Sequence, residues 1–176
     1  MTSQHFDFPA DFHRLYQKGC KLYQAGQRGA ETYFDGPETA WLAANGLTAQ
    51  HLYDYAEDDV SDGAPGFGHA LTIESIRRDY FLSVQHGVAS DVVLDPDTLP
   101  AKSAEIDGIR WLPRIIPKAK AKLRGEMPPS MMYCCGGDRN FFLTHNIMPA
   151  EFLALIWRNL DDDAATLAWV NQRRSA

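Results

Sequence analysis

Apolar positions along most of the chain recur at steps of three and four, the spacing of one buried helix face. Between Pro9 and Gly26 they are Phe12, Leu15, Tyr16, Gly19, Leu22 and Tyr23. Asp7 stands where an N-cap belongs, and Gly26-Gln-Arg-Gly29 stops the run. A short helix is predicted over Pro37–Asn45, and another opens at Thr48 and runs into Glu57-Asp58-Asp59. Three carboxylates at that end oppose the helix dipole. They predict compensation by Arg77 or Arg78 of the following helix, which spans about 68–85 and carries Leu71, Ile73, Ile76, Tyr80, Phe81 and Val84 as its apolar face. Cys20 lies beside the first stripe and reads as a packing thiol.

The pattern breaks over residues 87–108, where Gly87, Pro96 and Pro100 stand among acids and small residues, with one possible strand at Val92-Val93-Leu94. Helical spacing resumes with Leu112, Ile116, Ala119 and Leu123, closed by Gly125. A proline is tolerated only in the first turn, so this helix is expected to start between Pro113 and Pro117. A short apolar helix follows, ending near His145. Pro149 starts another, with Phe152, Leu153, Ile156, Trp157 and Leu160 apolar. Asp161-Asp162-Asp163 opens the last, which carries Leu167 and Val170 and ends at Arg173-Arg174. The reading is an all-α bundle of seven or eight short helices with one minor strand near Val92–Leu94. It is expected to be a single domain sharing one core, with halves 1–86 and 109–176 joined by 87–108.

Composition narrows the class. A chain of 176 residues with 45% hydrophobic residues is long enough to bury a core without disulfides. The net charge of −6 argues against broad nucleic-acid binding. No window approaches a membrane span, and Met1–Asp7 lacks a leader pattern, so a cytoplasmic location is expected. The three cysteines include an adjacent pair, Cys134-Cys135, which cannot staple distant segments, and all three are expected as thiols.

Candidate chemistry concentrates in Met131-Met-Tyr-Cys134-Cys135-Gly-Gly-Asp138-Arg139. An apolar run meets two thiols, a Gly-Gly turn and an acid–base pair at the start of a helix. A thiol there lies near unsatisfied N–H groups, and cations close by would favour its reactive form. Cys135 is the candidate nucleophile or redox centre, Asp138 its orienter, and His145 the nearest base in sequence. Arg114, Lys118 and Arg139 are candidate anchors for an anionic ligand. Arg114 follows Pro113 at a helix start, where the dipole does not help a cation, so an anionic partner such as Asp138 is expected. The bland readings stand beside these: a buried packing thiol, Asp138 as an N-cap paired with Arg139, and Lys120, Lys122 and Arg124 as a solvated face. His51, Asp54 and Asp58 share one helix face, but no recognised metal spacing accompanies them, and a salt-bridged acidic surface is the preferred reading.

The second half resembles a bacterial family known as domain of unknown function 5069, over about residues 108–173. Leu112-Pro113-Arg114, Lys118-Ala119-Lys120-Ala121, Tyr133, Cys135, Asp138 and the terminal Asp163…Trp169-Val170 carry the resemblance. This chain has Pro117 where that family usually has an aspartate. The resemblance implies that Arg114, Lys118, Cys135 and Asp138 belong to one feature. Two functions follow from the residues: an enzyme or binder of a small anionic ligand with a cysteine-containing pocket, or a helical module binding another protein, in which the same residues form a structural network. The residues leave the identity of any cofactor open.

Overall fold

The computed structural model describes residues 5–174; the leader reading at the N-terminus therefore falls largely outside the described residues. The described residues form eight α-helices and one two-stranded ribbon, the mostly helical class that the periodicity predicts. The chain divides into two compact units, Met1–Gly87 and Val88–Ala176.

In the first unit α1 (Phe8–Gln24) packs on α3 (Ala49–Asp62) and α4 (Phe67–Ser83), and the short α2 (Gly36–Ala44) lies between α1 and α3 along the chain. Phe12, Leu15 and Tyr16 meet a core that includes Leu52, Tyr55, Ala56, Ile73 and Phe81, all buried. Asp35 begins α2 with a reciprocal capping box: its carboxylate accepts from the Glu38 N–H, while Glu38 reaches back to the Asp35 N–H. Asp7, by contrast, takes a helical conformation and makes no side-chain cap.

At the acidic end of α3 two carboxylates meet side chains of α1. Glu57 accepts from the Tyr23 hydroxyl at 2.9 Å, and Asp59 lies 3.7 Å from the Cys20 sulfur. Arg78 turns instead to Asn45 and His5. Burial, and then Asp59, push the Cys20 thiol up to about 11. On α4 the periodicity misplaced three positions. Val84 is exposed, whereas Glu74 and Arg77 are buried, Glu74 accepting from Tyr55 at 2.9 Å and Arg77 donating to Gln85 at 3.0 Å.

In the second unit Val92 and Val93 are exposed and form no strand. The ribbon lies further on, β1 (Glu105–Ile106) pairing antiparallel with β2 (Ile109–Arg110). Asp107 and Gly108 both have positive φ, 51° and 72°, which makes the tight hairpin turn that an Asp-Gly pair favours. Beyond it come α5 (Leu112–Arg124), α6 (Gly136–Thr144), α7 (Pro149–Arg158) and α8 (Asp163–Arg174). Leu112, Ile116, Ala119 and Leu123 are all buried, and α5 packs on α7. Tyr133 is buried and donates to the Pro149 carbonyl at 2.8 Å, tying the start of α7 to the segment before α6.

Two expectations for α5 are corrected. The helix begins at Leu112, so Pro113 occupies its first turn while Pro117 stands in its interior. There the ring removes the hydrogen bond that the Pro113 carbonyl would receive. Lys122, read as part of a solvated face, is only 4% exposed. Lys120 does reach an acid on another element, Asp163, at 2.7 Å.

Candidate functional site

The helical repeat of α5 puts Trp111, just before it, and Lys118 seven residues apart and therefore on one side. Asp138 is the third residue of α6, a position where a carboxylate suits the helix dipole. These three side chains converge. Asp138 is fully buried, and its two oxygens receive three donors: the Trp111 indole N–H at 2.9 Å on Oδ1, and on Oδ2 the Lys118 ammonium at 2.6 Å and the Cys134 backbone N–H at 2.9 Å. The ammonium is only 3% exposed, so this is a dry, hydrogen-bonded ion pair, the kind in which either partner alone would be a stranded charge.

The backbone around Asp138 is bent to meet it. Trp111 and Cys134 both have φ of 73°, a left-handed conformation that is costly for side chains of this size. Each donates one of the three hydrogen bonds to Asp138. Trp111 is further fixed by its main chain: its N–H reaches the Ala104 carbonyl at 3.1 Å, and its carbonyl receives the N–H groups of Arg114 and Ile115. Gly137 completes the arrangement. A Cβ added there would lie 2.5 Å from Trp111 Cζ2, so the indole occupies the space a side chain would fill.

Cys135 is the N-cap of α6 and half-buried, its sulfur 3.5 Å from the Lys118 ammonium. Cys134 is fully buried. Arg139 donates to the Cys134 carbonyl at 3.0 Å, closing the loop. Arg114 is also placed differently from expectation. It donates to the Pro100 carbonyl at 2.7 Å, whereas the Asp138 carboxylate belongs to Lys118 and Trp111. Nor can His145 serve Cys135 as a base through α6. The two residues cap opposite ends of that helix, about 15 Å apart at 1.5 Å per residue.

A cavity of about 720 Å³ opens beside this network, within the second unit. It is lined by Lys102, Ser103, Gly108, Arg110, Trp111, Gly137, Asn140, Phe141, Thr144 and His145. Lys118, Cys135, Asp138, Arg114 and Arg139 do not line it. The connection runs through Trp111 and Gly137, which belong to both the wall and the network. Trp111 is the functional candidate that the residue pattern alone did not single out. Its spacing of seven from Lys118, together with Gly-Gly next to Asp138, are the signals that mark it. Phe141 is anchored by edge-on contacts with Phe142 and Phe152, and the His145 ring lies 4.7 Å from it. Burial, and secondarily the Arg174 cation, lower the His145 pKa below its ordinary value.

Lys102 and Arg110 are exposed cations on the cavity wall, and neither is ion-paired among the described residues. No group of three or more His, Cys, Asp or Glu side chains that could hold a metal ion occurs among the described residues. No helix among them is long and apolar enough to cross a membrane. No family model matches the sequence, and neither a curated protein nor a solved structure does.

Proposed function

We propose that the second unit binds a small anionic ligand in the cavity beside Trp111, with Lys102 and Arg110 meeting its negative charge. The observation that carries this reading is the pairing of two cations that have no ion-pair partner among the described residues with a wall whose Trp111 is anchored from behind by a buried ion pair. A volume of about 720 Å³ falls within the range of small-molecule sites, roughly 300–1,000 Å³. Glu105 stands opposite Arg110 across the ribbon but forms no ion pair with it, leaving the guanidinium's bidentate edge for a carboxylate or phosphate. In this reading Asp138 and Lys118 are positioning residues, because both are buried behind Trp111. Cys135 belongs to the same support, not to a reacting centre, since its sulfur faces Lys118 and lies off the cavity wall.

Charge dependence tests the proposal. In calorimetric titrations 2-naphthoate is expected to bind, and the uncharged 2-naphthamide to bind at least about tenfold more weakly, a difference of about 1.4 kcal/mol. Arg110→Ala should weaken naphthoate binding by a similar factor while leaving the thermal midpoint within a degree or two, because its side chain is exposed. Equal binding of the acid and the amide, or no effect of Arg110→Ala together with Lys102→Ala, would contradict it.

A further inference from the structure

Resting on that reading of the cavity, we infer that the ligand is a planar aromatic anion and that Trp111 is the residue that selects it, by stacking against its ring. Trp111 is held by three separate devices, none of which the helix itself requires. Its backbone is in the left-handed region at φ 73°. Its indole N–H is committed to Asp138 at 2.9 Å. Its ring lies so close to Gly137 that even a methyl group there would collide. Strained backbone persists only where surrounding structure over-determines it, and such strain clusters at ligand-binding positions. Here the surroundings fix one large ring in one orientation on a cavity wall.

The chemistry of the wall fits a flat ring better than a compact anion. A cavity of about 720 Å³ is far larger than phosphate or acetate needs. With its nitrogen turned toward Asp138, the indole offers the cavity carbon surface, which favours offset stacking over hydrogen bonding. Phe141 and His145 add a second aromatic pair, their rings 4.7 Å apart. At neutral pH the lowered pKa keeps His145 mainly as an uncharged ring. Lys102 and Arg110 then supply the charge complement for the ligand's anionic group.

The test separates ring from charge. Titrations on the unaltered protein compare 2-naphthoate with decahydronaphthalene-2-carboxylate, which has the same carboxylate on a puckered, saturated frame. The expected preference is about tenfold for the planar acid, the scale of one aromatic pair. Trp111→Leu should abolish that preference, and Trp111→Phe, which keeps a ring, should retain part of it. Equal affinities on the unaltered protein would overturn the aromatic inference and leave the anionic reading standing. Failure of both acids to bind would overturn the two together.

Discussion

Asp138 and Lys118 show most directly how one residue pair shapes the site. Each is charged and almost wholly buried, so each depends on the other. Removing one partner of such a pair typically costs about 3–5 kcal/mol, because the remaining charge is left without compensation. Asp138→Asn and Lys118→Met should each lower the unfolding free energy, read from urea titrations, by about that amount. The double variant should lose much less than the sum, since no stranded charge remains. Strictly additive losses would show that the two side chains do not act as a unit. These residues were singled out in the sequence as a carboxylate beside Gly-Gly and one of several cations on a helix with an apolar stripe. What the sequence concealed was their geometry. Arg114 looked the better partner for Asp138, yet Lys118 is the one whose ammonium reaches it, and Arg114 finds a backbone carbonyl instead. Trp111 was hidden for a related reason. A tryptophan in a helical stretch reads as core, and nothing local reveals that its backbone is left-handed.

At the scale of the element, periodicity located the helices because most have one apolar face. It failed where other forces dominate. The buried Glu74 and Arg77 of α4 violate the pattern, and each makes a side-chain hydrogen bond, Glu74 with Tyr55 and Arg77 with Gln85. Pro117 was taken as a boundary, but the apolar stripe of α5 continues on both sides of it, and that packing holds the helix through the missing hydrogen bond. The strand expected at Val92–Leu94 rested on β-branched composition. The turn chemistry of Ile106-Asp107-Gly108-Ile109 was the stronger signal and marks the actual ribbon. The end of α6 carries a pH prediction. Burial and Arg174 lower the His145 pKa in the folded state, so the unfolded chain protonates first as pH falls. Stability from this group is therefore complete above the unfolded value of about 6.5 and declines as pH drops through the folded pKa. Replacing His145 with Gln should flatten the fall in the thermal midpoint below pH 6.5. An unchanged slope would assign the fall to other groups.

Across the molecule, the chain comprises two compact units, and all of the proposed chemistry lies in the second, from Val88 onward. There the ribbon supplies the exposed cation Arg110, the start of α5 supplies the ring, and α6 supplies the acid that holds the ring in place. Charge at the mouth and order behind the wall are thus provided by different elements, so variants can separate binding from stability. The most direct measurement follows the four indole N–H resonances of Trp41, Trp111, Trp157 and Trp169 by nuclear magnetic resonance while 2-naphthoate is added, with the Trp111 signal assigned by its loss in Trp111→Phe. The expected result is a saturable shift of the Trp111 signal, at concentrations that leave Trp41 and Trp169 unmoved, with about tenfold more ligand needed for the same shift in Arg110→Ala. A Trp111 resonance that stays fixed while the ligand binds, or four signals drifting together without saturation, would contradict a ligand site at this wall.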